Sequence, residues 1–173
     1  MERARNGGFT LVETVAALAI VSIAAAGIFS ALSFALAHQA DGMQQAKVAF
    51  LAESYVDQIL ARRYDELTPP GGVPPCQICS AQSHFDDGES RAGFDDVDDF
   101  DGLLDAPPRD ENGDALPGLE GYSVAVSVRY ADAVQQAALG VQGSGVGSAK
   151  IVTVVVTTPN GKQQQFVVVR ANF

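Results

Sequence analysis

The stretch RNGGFTLVETVAALAIVSIAAAGIFSALSFALA, residues 5–37, decides how this chain is read. From Thr14 to Ala37 no side chain is charged. At about 1.5 Å rise per residue, about 20 apolar residues cross the ~30 Å hydrocarbon core of a bilayer, so the run is long enough to span one. Its Gly, Ala and Ser content suits close helix packing as well as lipid contact. Arg3 and Arg5 precede the run and Asp41 follows it. Basic flanks stay in the cytoplasm, which puts the N-terminus inside and Asp41–Phe173 outside. A cleaved secretory signal is the alternative. It would have an apolar region of about 7–15 residues and a small-residue cleavage site, and here the run is longer with no clean A-x-A boundary.

One acid, Glu13, interrupts this water-averse segment. A lone carboxylate in hydrocarbon costs about 3 kcal/mol on insertion scales, so such a residue calls for a partner. A cut between Gly8 and Phe9 would give Phe9 a free amine and make Glu13 the fifth residue of the mature chain. In an assembly of such helices, Glu13 of one subunit would pair with the amine of its neighbour, compensating both buried charges.

Outward from this stretch, the helix is expected to run from Phe9 to about Arg63. Val48, Leu51, Ala52, Tyr55 and Ile59 recur at spacings of three and four, while Lys47, Glu53, Asp57 and Gln58 fall on other faces. Gly42 is a weak point, since Gly costs about 1 kcal/mol against Ala in a helix interior. In YSVAVSVRYA, Tyr122, Val124, Val126, Val128 and Tyr130 alternate with Ser123, Ala125, Ser127 and Arg129, the period of a strand with one buried face. KIVTVVVTTPNGKQQQFVVVRA reads as two strands around Asn160-Gly161, a hairpin signal. DAVQQAAL suits a short helix, and GVQGSGVGSA a flexible loop. Three or more antiparallel strands with one apolar face can cover the outer half of the helix, so the fold class is α+β. The organisation expected is a leader, 1–8, a transmembrane helix, 9–38, and an extracytoplasmic head, 39–173. Within the head, an amphipathic helix spans 39–63, an acidic loop region 64–120 and an antiparallel sheet 121–173.

The chain has 173 residues and a net charge of −10. The imbalance is local: thirteen acids but only two bases, Arg91 and Arg109, lie between Asp86 and Glu120. This argues against nucleic acid as a partner, because phosphate binding needs a basic face. It leaves open a cation site or a solvated loop.

The opening residues GGFTLVETVAALAIVSIAA resemble the class III signal of type IV prepilins and pseudopilins: a short basic leader ending in Gly, then Phe-Thr-Leu-Val-Glu, then an apolar helix. The resemblance covers about the first thirty residues. It implies a prepilin peptidase that cuts after Gly8 and methylates Phe9, with Glu13 as the assembly carboxylate. It also implies a type IV pilin-like fold, a long N-terminal helix packed on a small antiparallel sheet. The protein would sit in the bacterial inner membrane with a periplasmic head before entering a pilus or pseudopilus at the cell surface. Its partners would be other pilin or pseudopilin subunits. ESRAGFDDVDDFDGL, residues 89–103, is similar to a stretch of the MSHA pilus minor pilin D group, and the N-terminus also suits the related minor pilin V proteins. That implies a minor pilin acting in pilus biogenesis or adhesion. A minor pseudopilin of a type II secretion system is the alternative.

Two clusters are candidates for calcium, which takes several carboxylate and carbonyl oxygens. One is Asp95, Asp96, Asp98, Asp99 and Asp101. The other is Asp110, Asn112 and Asp114, which have the 1, 3, 5 spacing of a calcium loop but Ala115 where a Gly belongs. A calcium-dependent adhesin anchored in the membrane is the function this would support; solvated turns are the plainer reading. Cys76 and Cys79, in PPCQIC, are candidates for a short structural disulfide. A thiol-redox role wants a helix start in a βαβ setting, and zinc wants four ligands; neither is present in the pattern. The two histidines, His38 and His84, belong to no catalytic spacing, so the chain reads as a structural protein and not an enzyme.

Overall fold

The structure, a computed structural model, describes residues 10–69, 72, 74–85, 88–140 and 147–172, with backbone alone at 37–41. The chain divides into two compact units, Met1–Gln45 and Ala46–Phe173.

Helix α1, Leu11–Leu60, begins in the first unit and ends in the second. The expected C-terminal end, Arg63, is trimmed by three residues, and the expected start, Phe9, lies outside the described residues. Thr10 opens the helix: its hydroxyl accepts a hydrogen bond from the Glu13 N–H at 3.3 Å, which satisfies one of the donors every helix start leaves open. From Leu11 to Leu36 the helix is apolar on all sides, and none of it is buried within the chain. Its hydroxyls turn back on their own helix. Thr14 donates to the Leu11 carbonyl at 2.9 Å, Ser22 to Leu18 at 2.7 Å and Ser33 to Phe29 at 2.9 Å. Such back-bonding gives these three hydroxyl donors a partner that an apolar solvent would not supply.

In the second unit the stripe predicted from the sequence is the buried face of α1. Val48, Leu51, Ala52, Tyr55 and Ile59 are all covered, packed with Val124, Val126, Val128, Val152, Val154 and Val156 of the sheet. The sheet has four antiparallel strands in chain order: β1 Leu104–Asp105, β2 Ser123–Tyr130, β3 Ala149–Thr157 and β4 Gln163–Ala171. In β2 the alternation places Val124, Val126 and Val128 in the core and Ser127 and Arg129 outside. The β3–β4 loop is tied by the Thr158 N–H on the Lys162 carbonyl, and Gly161 takes the positive φ of +79° that the turn requires. Helix α2, Ala133–Ala138, carries a capping box between Asp132 and Gln135. The architecture is α+β and type IV pilin-like: a long apolar N-terminal helix followed by a small antiparallel sheet.

The Pro-, Gly- and Asp-rich segment 64–120 departs from expectation. It holds β1, the outer strand of the sheet, and it lends the core Phe94, Val97, Phe100 and Leu119. Asp96, Asp98 and Asp99 are buried as well. The plainer reading of a solvated acidic loop is therefore corrected for Asp96, Asp98 and Asp99, while Asp95, Asn112 and Asp114 are exposed. The apolar residues interleaved with the aspartates pull the backbone inward, and the carboxylates go with it.

Candidate functional site

Two sites stand out, one in each unit. The first is the start of α1. Glu13 lies in the first helical turn, where the unpaired N–H groups carry partial positive charge and favour an anion. Thr10, three residues earlier, caps the same turn. The Thr-x-x-Glu spacing is a helix-start signal visible in the sequence. Around this turn Leu11, Val12, Val15 and Leu18 are exposed, so the one carboxylate sits on a wholly apolar rod. Gly8 and Phe9, the expected processing residues, lie outside the described residues, as does the expected leader.

The second is the acidic segment FDDVDDFD. Each of its five aspartates has a defined role. Asp95 forms an ion pair with Arg63, which also bonds Glu66 at 3.1 Å. Asp99 accepts from the N–H groups of Asp95 at 2.8 Å and Asp96 at 3.0 Å. Asp96 accepts from the Asp98 N–H at 2.6 Å. Asp101 accepts from the Val128 N–H of β2 at 2.7 Å. Asp98 lies against Lys150 Nζ at 2.6 Å. Backbone pairing adds to this: the Arg63 N–H bonds the Asp95 carbonyl, and the Val97 N–H bonds the Arg63 carbonyl. The segment thus ties the end of α1 to the sheet.

At its centre is Lys150 on β3, wholly buried. Its Nζ donates to the Tyr64 carbonyl at 2.6 Å and pairs with the equally buried Asp65 at 3.1 Å. The rings of Tyr64, Phe85 and Tyr130 surround it, with centroids at 4.4, 5.0 and 5.4 Å. Burial pushes the Asp98 carboxyl up to about 7 despite the pull of Lys150. Burial, with the Asp99 charge adding to it, pushes Asp96 up to about 6. Asp65 goes the other way. Burial opposes its charge, but Lys150 and hydrogen bonds from the Leu67 and Ser80 N–H groups outweigh that and hold its carboxyl below the usual range. A second buried pair, Arg91 and Asp105 at 2.6 Å, locks to α1 through Tyr55, whose hydroxyl donates to Asp105 and accepts from the Arg109 N–H.

Among the described acids, Glu66, Asp95 and Asp96 bring oxygens within 4.8 Å of one another, with the Arg63 guanidinium already bonded to Glu66 and Asp95. Asp99 and Asp101 turn oxygens to backbone N–H groups, and Asp98 lies against Lys150. Asp110, Asn112 and Asp114 share a turn in which one Asp110 oxygen accepts from the Asn112 and Asp114 N–H groups, each at 2.9 Å. Those bonds hold the Asp110 carboxyl below its usual range. Cys76 and Cys79 form a disulfide, with Cα atoms 5.4 Å apart. Asn172 clamps it, donating to the Cys76 carbonyl at 2.9 Å and accepting from the Cys76 N–H at 3.2 Å. A polar cavity of about 250 Å³ beside the end of α1 is lined by Arg62, Arg63, Arg170 and Thr68, a cationic lining that repels a metal ion.

Sequence reasoning missed Asp65 and Lys150. Alternation along β3 puts Lys150 on the face of Val152, Val154 and Val156, so a charge at a core position was visible in the pattern.

Compared with known proteins, residues 3–29 match the family model described as the prokaryotic N-terminal methylation motif. No curated protein and no solved structure matches the chain. The motif falls on the apolar helix and its capped Glu13, and it supports a type IV pilin or pseudopilin: a structural subunit that is processed at its N-terminus and assembles with others of its kind.

Proposed function

We propose that this chain is a minor pilin, cut by a prepilin peptidase after Gly8, methylated on Phe9 and incorporated into an MSHA-like type IV pilus, where it acts in pilus biogenesis or adhesion. The observation that carries this reading is the methylation motif lying on a helix whose large apolar side chains from Leu11 to Leu36 are exposed among the described residues. Such a surface needs lipid first and neighbouring helices later. The leader would be 1–8 and the membrane and assembly helix 9–38. The head, 39–173, would stand in the periplasm, as the basic flank Arg3 and Arg5 directs. Glu13 would pair with the Phe9 amine of the adjacent subunit. The subgroup rests on the FDDVDDFDG stretch, which here builds the head's interior rather than displaying charge. A minor pseudopilin of a type II secretion system shares every N-terminal feature and is separated by which filament holds the chain.

The test is a mass spectrum of the N-terminal peptide from membrane-extracted protein. The expected product begins at Phe9 and carries one added methyl group. An intact Met1 terminus, in cells with an active prepilin peptidase, would overturn the reading.

A further inference from the structure

We infer that Lys150 and Asp98 are partners for an intramolecular amide bond, a covalent cross-link between β3 and the acidic segment, with Asp65 as the base that assists it.

The geometry sets this pair apart from an ordinary ion pair. Lys150 Nζ lies 2.6 Å from Asp98 Oδ1, and among the described residues no other donor reaches either Asp98 oxygen. The amine also donates to the Tyr64 carbonyl and to Asp65. A buried carboxyl short of hydrogen bonds is costly as an anion and is stable as the neutral acid. That is the direction in which burial drives Asp98. Asp65 is the opposite: the Leu67 and Ser80 N–H groups, the Ser80 hydroxyl and Lys150 all donate to it, which keeps it anionic. So one acid beside the amine is an electrophile and the other a proton acceptor. Two carboxyls in different environments take different roles.

The step balances without an added reagent. Lys150 passes one proton from its ammonium to Asp65, leaving a neutral amine with a free electron pair. A desolvated lysine amine is an activated nucleophile. It adds to the Asp98 carboxyl carbon. The tetrahedral adduct loses the hydroxyl together with the second amine proton as water, and the Nζ–Cγ amide remains. With the Lys150 cation consumed, the charge that held Asp65 anionic is gone; Asp65 keeps the proton it received, so net charge is unchanged. The rings of Tyr64, Phe85 and Tyr130 around the amine keep out the bulk water that would favour hydrolysis. The fixed approach replaces an encounter between two free groups.

The experiment uses the full chain, extracted in detergent, reduced and alkylated, then digested with trypsin and mapped by mass spectrometry. The expected result is a branched peptide that joins the segment containing Asp98 to the segment containing Lys150, lighter than their sum by one water. Cleavage after Lys150 would be lost. In Asp65→Asn the linked fraction should fall at least tenfold, while Lys150→Arg and Asp98→Ala should show none. Recovery of the two peptides unlinked from folded wild-type protein, with cleavage after Lys150, would overturn the inference whatever the variants do. So would a water loss that maps to any other pair of residues.

Discussion

The two halves of α1 face opposite problems. From Leu11 to Leu36 every large apolar side chain is exposed, and the single charge is Glu13. From Ala46 to Leu60 the apolar stripe is covered, and six charged residues beyond the helix end, Asp65, Asp96, Asp98, Asp99, Asp105 and Lys150, are buried too. One segment has apolar surface without a cover; the other has a core that encloses Asp65, Asp96, Asp98 and Lys150. The difference teaches where each half finds its partners. The head pairs its buried charges inside the chain, whereas in the function proposed above the rod before it is completed by lipid and by other helices.

This contrast can be broken from either side. The largest effect is expected at Glu13. Glu13→Ala should leave the protein in the membrane while lowering its share in sheared filaments by about tenfold or more, since the neighbour's amine loses its counter-charge. Comparing pilus and membrane fractions by immunoblot checks this, and equal incorporation would remove Glu13 from the assembly scheme. Next come two leucines of the same helix. Leu51→Ala, in the core, should cost about 2–5 kcal/mol of head stability. Leu18→Ala, on the uncovered face, should change it by no more than about 0.5 kcal/mol. Denaturant titration of the full chain in detergent separates them, and similar losses would mean that the uncovered face is packed within the monomer.

The smallest effect is a pH slope. Asp96 has a folded-state value of about 6, above its ordinary 3.8. Between these values the folded state binds more protons than the unfolded one. Its contribution is therefore full below about pH 4 and is lost as pH rises through about 6, by at most ~3 kcal/mol. Asp96→Asn should flatten the slope of thermal stability between pH 4 and 7. A slope unchanged by the substitution would assign it to another group.

Much of this was legible in the sequence. The spacing of Val48, Leu51, Ala52, Tyr55 and Ile59 named the buried face of the helix, and strict alternation from Tyr122 to Tyr130 named that of β2. Asn160-Gly161 marked the hairpin. At the candidate site, Glu13 stood out because a carboxylate in an apolar run is costly wherever it occurs. The aspartates were harder. Local sequence shows their mutual repulsion, while what neutralises them is distant: Lys150 is 85 residues from Asp65, and Arg63 is 32 from Asp95. Composition reports charge but not company. Strand β1 was hidden for a related reason, since two residues beside Pro107 and Pro108 carry no readable period.

The place of Lys150 on β3 also imposes an order of events as the chain is made. Domains form as units while synthesis proceeds from the N-terminus. The apolar rod emerges first. Asp65, Asp96 and Asp98 emerge next, with their future cation still unmade. Only when residue 150 appears can the interior of the head close around its charge. For most of its synthesis this protein is a chain whose acidic middle is unfinished, and its third strand is the part that completes it.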